Sequence, residues 1–184
     1  MIKVKIEPLS SRRLLYPRPL VLVTSASKDG KPNIITLAWS MPTSFEPPLV
    51  AISVAKERFS HELIEDSGEF VVNIPSRKLL GPVLFCGSTS GRFVDKFKEA
   101  GLTPLPSERV KPPRIKECVA HLECKLVEKF QTGDHTIFIG EVVASSADEG
   151  AFDERLILNL DQVEPLLQVG GDYYVTIGEK FRAK

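Results

Sequence analysis

Apolar residues in this chain fall into short runs separated by turn residues, the pattern of strands more than of long amphipathic helices. Leu20-Val21-Leu22-Val23-Thr24 is rich in β-branched residues and reads as a strand. Lys28-Asp29-Gly30-Lys31 carries the Asp-Gly hairpin signal, so the return run Asn33 to Trp39 is expected to pair antiparallel with that strand. Leu49 to Val54 is a third strand, and Phe70 to Ile74, closed by Pro75, is a fourth. Ser60 predicts the N-cap of a short helix over His61 to Ser67, with Glu62 in its first turn and Gly68 at its end.

The second half follows the same rhythm. Lys78 to Phe85 and Arg92 to Ala100 read as helices, the latter stopped by Gly101. Thr103 to Pro113 is crowded with prolines and polar breakers and reads as an ordered surface loop, because strands resume beyond it. Ala120 to Leu126 alternates in polarity and sets Leu122, Cys124 and Leu126 on one face. After a turn at Gly133-Asp134, His135 to Ala144 returns as a strand, and Leu156 to Leu160 and Leu166 to Val169 add two short ones. No internal repeat interrupts this order. Antiparallel strands with a few short helices predict a mainly β (α+β) protein, a closed or nearly closed barrel with helical excursions.

Composition narrows the class. A chain of 184 residues fits a single domain spanning 1–184 and can bury a substantial core. Its 24 basic and 24 acidic residues cancel, so the electrostatic footprint of a nucleic-acid binder is lacking. No apolar run nears the ~20 residues that span a bilayer, and Met1 to Glu7 lacks the apolar core of a secretory signal. Three cysteines form no disulfide framework. A soluble cytoplasmic protein without membrane or nucleic-acid partners is the expectation.

Trp39-Ser40-Met41-Pro42-Thr43-Ser44-Phe45-Glu46-Pro47-Pro48 holds the one Trp, three hydroxyls and three prolines. It predicts a proline-stiffened loop that presents backbone amides and short hydroxyls to a polar ligand. Arg58-Phe59-Ser60 lies beside the expected helix start, where open amides await an anion; Arg58 suits a surface or a ligand equally. Neighbouring Ser60 and His61 cannot face each other as a dyad. Cys118, His121 and Cys124 look like metal ligands, yet a strand would turn His121 away from both cysteines, so ordinary strand residues and no metal are expected. Cys86-Gly87-Ser88-Thr89-Ser90-Gly91 reads as a helix end and a glycine loop that could hug a ligand through its backbone. Arg92, Asp95 and Lys96 suit a solvated helix face or a ligand site. Dinucleotide-fold and P-loop signatures are missing.

In sequence order, Tyr16-Pro17-Arg18-Pro19, Asp29-Gly30-Lys31-Pro32-Asn33, Trp39 to Ser44, Pro47-Pro48-Leu49-Val50, Arg58-Phe59-Ser60, Glu69 to Pro75, Ser90-Gly91-Arg92 with Asp95-Lys96-Phe97, Gly133-Asp134-His135-Thr136 and Gly140-Glu141-Val142 cover most of the chain. Together they resemble the flavin reductase-like FMN-binding family, which includes flavoredoxins and archaeal ferric reductases. The resemblance implies an FMN-binding, Greek-key split β-barrel that forms a homodimer, with FMN held non-covalently near the subunit interface. By position, Ser40, Met41, Thr43 and Ser44 would hold the ring edge and ribityl chain. Ser53, Arg58 and Ser60 would take the phosphate, and Ser90, Arg92 and Lys96 would border the cofactor. His135 matches a histidine placed near flavin and nicotinamide. The implied activity is an NAD(P)H-dependent oxidoreductase that uses NADH or NADPH as small-molecule donor and passes electrons to free flavin, ferric iron or a partner. The alternative is a flavoredoxin-like electron carrier without reductase turnover.

Overall fold

The structure is a computed structural model that describes residues 1–180. A 3-10 helix over Pro8–Leu15 leads into β1 (Arg18–Pro19), β2 (Val21–Ala26), β3 (Pro32–Leu37), β4 (Ser40–Ser44) and β5 (Leu49–Ala55). Helix α1 (Phe59–Ser67) and β6 (Glu69–Ile74) come next, then α2 (Leu80–Ser88) and the single turn α3 (Lys96–Glu99). Strands β7 (Pro104–Leu105), β8 (Arg114–Ile115), β9 (Ala120–Thr132), β10 (His135–Ala147), β11 (Leu167–Gly170) and β12 (Tyr173–Val175) complete the order.

A seven-stranded antiparallel sheet runs β3-β2-β6-β9-β10-β5-β4. Its edge strands β3 and β4 are consecutive in the chain, joined by Ala38 and Trp39 alone. So short a link brings the two edges together, and the sheet curls until β3 lies beside β5 without pairing to it. The barrel is therefore split along this seam. Alternation along the strands sends Val21, Val23, Ile35, Leu37, Val50, Ile52, Val54, Phe70, Val72, Cys124 and Phe138 inward. Phe70 and Phe138 are fully buried, and burial of each such ring stabilises by about 1.5–3 kcal/mol. Helix α1 closes one end of the barrel through Ile64. A second core forms outside, where Leu20, Leu22 and Ile34 meet Val83 and Cys86 of α2, Phe97 of α3, Ile115 and Cys118. Strand β2 is thus buried on both faces, which is why its run is continuously buried where a half-exposed strand would alternate.

Several elements depart from their sequence signals. Strand β9 runs to Thr132 and β10 to Ala147, because each supports the other far beyond the buried segment. Trp39 to Pro48 is no loop throughout: Ser40–Ser44 is an edge strand paired with β5, where Pro42 is tolerated. Arg58, not Ser60, is the N-cap of α1; Ser60 lies inside the helix, buried, its hydroxyl accepting from Asn33 Nδ2 at 2.7 Å. The expected helix over Arg92 to Ala100 shrinks to α3, because Asp95 caps the amide of Lys98 and starts the helix there. Leu156 to Leu160 forms only a bridge between Leu158 and Phe152. The Thr103 to Pro113 loop includes β7, and Glu123 orders it by accepting the amides of Glu108 and Arg109 at 2.7–3.0 Å. Among the described residues, no helix is long and apolar enough to cross a membrane.

Candidate functional site

The seam between β3 and β5 opens outward into a trough built of three adjoining cavities. Its narrow basic end is lined by Asn33, Arg58, Ser60, Gly87, Ser90, Gly91 and Lys96. The middle shares Ile35, Glu57, Arg58 and Gly87 with that end and adds Thr36, Trp39, Ser53, Asp134 and His135. An apolar end shares Arg12, Arg18, Ala38, Trp39 and Ser53 with the middle and adds Leu15, Ser40, Met41, Ala51 and Ile137. Strand pleating explains the division. Val50, Ile52 and Val54 of β5 point into the barrel, so Ala51, Ser53 and Ala55 point to the trough.

Helix α1 begins at the basic end. The amides of Phe59 and Ser60 have no partner among the described residues, as expected in the first turn of a helix. Arg58 caps this helix with its side chain half exposed and its Nε 3.5 Å from Glu57. Lys96 is buried, and its Nζ donates to the carbonyls of Ile34 at 2.7 Å and Cys86 at 2.8 Å. Burial lowers its pKa, with the Cys86 thiol acting in the other direction. Lys96 therefore ties β3 to α2 while lending positive charge to the trough, in keeping with the ligand-site reading of its sequence. Cys86 lies beside it, and burial pushes that thiol up to about 11, which leaves it a poor nucleophile.

The glycines of this end are fitted to it. A Cβ on Gly91 would fall 1.9 Å from Asn33 Oδ1, and one on Gly87 would fall 3.3 Å from Thr36 Cβ. The wall there is backbone-thin. Asn33 Oδ1 itself is buried with no hydrogen-bond partner among the described residues. Helix donors, an Arg, a Lys, two serine hydroxyls and close backbone together make a donor set for a phosphate-sized dianion.

At the middle, Trp39 and His135 lie with ring centres 4.8 Å apart. His135 Nδ1 sits 2.6 Å from Asp134 Oδ1, and this hydrogen bond lowers the exposed Asp134 carboxyl below its ordinary range. Trp39 O accepts from Ser53 N at 3.0 Å, pinning the β3–β4 link against β5. Trp39 would ordinarily be core; here it is partly exposed as a flat wall.

The structure brings Arg58, Ser60, Ser90 and Lys96 together, and it sets Ser40, Met41, Ser53 and His135 along the same trough. Ser53 lies at the middle and apolar cavities, away from the basic end to which the phosphate expectation assigned it. Arg92 is turned elsewhere: its Nη2 meets Glu62 Oε2 at 2.7 Å and its guanidinium lies over Phe59. Thr43 is exposed outside these cavities, and Ser44 lines an adjoining apolar mouth at the barrel end, which shares Pro19, Ser40 and Met41 with the apolar end and adds Leu49, Ile74 and Leu122. Asn33, Thr36 and Arg18 were missed as site residues, though Asn33 and Arg18 lie in the motifs that carry the resemblance; Gly87 stands in the glycine loop whose backbone was a candidate ligand wall. Ser60 and His61 are confirmed as no dyad, since His61 Nε2 contacts Thr136 Oγ1 at 2.8 Å. His121 faces Ile115 O and Ser146 Oγ, opposite the core-facing Cys124, and no group of three metal ligands exists among the described residues.

A model of the flavin reductase like domain matches residues 11–175. The chain belongs to the flavin reductase-like family. This flavin reductase-like protein is 41% identical over 137 residues to an uncharacterised protein of Archaeoglobus fulgidus, covering 74% of this chain and 76% of that one. Among solved structures it resembles flavoredoxin of Desulfovibrio vulgaris (Miyazaki F), with TM-score 0.86, 34% identity and coverage of 98% and 97% of the two chains. It also resembles an FMN-binding protein from Thermus thermophilus solved with 1-cyclohex-2-enone, with TM-score 0.86, 27% identity and full coverage of both chains. The split barrel of this flavin reductase-like chain is thus the barrel of its structural relatives.

Proposed function

We propose that this protein binds FMN non-covalently in the trough and works as an oxidoreductase, taking electrons from NADH or NADPH and passing them to free flavin, ferric iron or a partner. The observation that carries the reading is the gradient along one continuous trough, from basic and hydroxyl-rich at α1 to apolar and aromatic at Trp39 and Met41. A molecule with a phosphate at one end and a flat ring at the other matches that gradient. FMN binding by the Thermus relative and the similarity to flavoredoxin support the same cofactor.

Bound FMN would supply the two-electron chemistry itself, so the described residues need not provide a nucleophile. The chain's part is to bind and orient. Arg58, Ser60 and the open α1 amides hold the phosphate, and Lys96 adds its buried charge. Ser40, Met41 and Ser53 flank the ring, and Trp39 provides a flat wall. His135, held by Asp134, stands where it can position the nicotinamide of the donor. The apolar barrel mouth beside β4 suits cover by a second copy of the chain, and sedimentation at micromolar concentration would read a dimer; a monomer would contradict it.

Anaerobic stopped-flow mixing of FMN-loaded protein with NADH or NADPH, followed at the oxidised flavin absorbance, tests the enzymatic reading. Rapid bleaching with one donor is expected. Bound FMN that neither donor reduces would instead favour the electron carrier, to which the flavoredoxin similarity also points.

A further inference from the structure

The cations of the trough differ in how they are neutralised. Arg58 has Glu57 at 3.5 Å and His135 has Asp134 at 2.6 Å, so the two carboxylates bordering the trough are taken. Arg18 has no carboxylate within 4.0 Å among the described residues. Its Nε is buried and finds no hydrogen-bond partner, while Nη2 donates to the carbonyl of Arg12. The guanidinium lies 4.3 Å over the Tyr16 ring and 5.7 Å from the Trp39 ring centre, so two aromatic faces hold it in place. It lines both the middle and the apolar cavity, and the apolar end around it offers Leu15, Pro19, Met41 and Ile137. A guanidinium stays charged at any working pH. An unneutralised, half-buried and fixed positive charge beside an apolar slot is arranged for negative charge that develops there.

We infer that Arg18 offsets the negative charge a flavin ring gains on reduction, its guanidinium facing the polar edge of the ring. The inference rests on the reading that the ring lies at the apolar end of the trough. Hydride delivery from a reduced nicotinamide adds two electrons and one proton to the flavin; the donor leaves oxidised, and the flavin carries one additional negative charge. That charge develops in a slot lined by Arg12 and Arg18, neither of which has a carboxylate within 4.0 Å among the described residues, and Arg18 is the one held against two aromatic faces. Tyr16 and the Arg12 carbonyl act as its supports, and Trp39 separates it from His135.

The test is the midpoint potential of the FMN-loaded protein, measured by spectroscopic titration against a dye of known potential. Arg18→Met is expected to shift the reduction equilibrium about tenfold toward oxidised flavin, about 30 mV for a two-electron couple. It should weaken binding of reduced FMN about tenfold more than binding of oxidised FMN. Arg18→Lys, which keeps the charge, should recover most of the shift. A residue serving only as a wall would weaken both redox forms equally and leave the potential unchanged. That outcome overturns the inference, and Arg18→Gln decides the matter if the Met variant does not fold. Wild-type protein that takes up no FMN would overturn the cofactor reading itself, an outcome distinct from loaded Arg18→Met with the wild-type potential.

Discussion

Arg58 and Ser60 stand two residues apart at the start of α1, and one donates a charged fork where the other offers a buried hydroxyl. Hydrogen bonds to charged groups contribute about 1.5–3 kcal/mol each, and about 1.4 kcal/mol is a factor of ten in affinity. Arg58→Ala should therefore weaken FMN binding by about 10- to 100-fold with little change in thermal stability, because the side chain is half exposed and touches an acid only at 3.5 Å. Unchanged FMN affinity in a fluorescence titration would place the phosphate elsewhere. The cysteines behave in the opposite way. Burial pushes Cys86 up to about 11 and Cys124 up to about 12, and it raises Cys118 as well. Far below those values the thiolate is scarce, so at about pH 8 a thiol reagent such as Ellman's should label none of the three until denaturant is added. A thiol that reacts within seconds in native protein would contradict this packing.

At the scale of elements, Glu123 of β9 has a disproportionate role. Its buried carboxylate accepts the amides of Glu108 and Arg109 and stands 3.7 Å from Arg114 Nε, so one strand residue fixes the proline-rich loop before it. Glu123→Ala leaves those amides without their acceptor and removes one carboxylate from Arg114, which keeps the Pro106 carbonyl, and a loss of roughly 3 kcal/mol in a denaturant titration is expected. A loss below about 0.5 kcal/mol would mean the loop orders itself. Legibility in the sequence varied element by element for physical reasons. The β2–β3 hairpin was readable because Asp29-Gly30 encodes its turn locally, and Gly30 does adopt φ 87. The end of α1 was readable too, since Gly68 adopts the left-handed cap at φ 67. Its start was not. Ser60 looks like a cap, but Asn33, 27 residues away, claims its hydroxyl. Strands β1 and β12 were invisible because they exist only through pairing with β11. Among site residues, hydroxyls and cations near turns could be picked out. The burial of Lys96, the turning away of Arg92 and the exposure of Trp39 depend on how β3, α2 and α3 pack, which no local pattern carries.

For the molecule as a whole, one topological fact places the site. Consecutive edge strands joined by Ala38 and Trp39 bring β3 to β5, and the unpaired seam between them becomes a trough with α1 at one end and Trp39 toward the other. The polarity of that trough is the central claim, and the most direct test is a comparison of FMN with riboflavin, which lacks the phosphate. Equilibrium titration of the apoprotein, followed by quenching of flavin fluorescence, should show FMN binding about 100-fold or more tighter, from two or more charge-assisted hydrogen bonds at the basic end. Equal affinities for the two, or quenching by neither, would contradict the account.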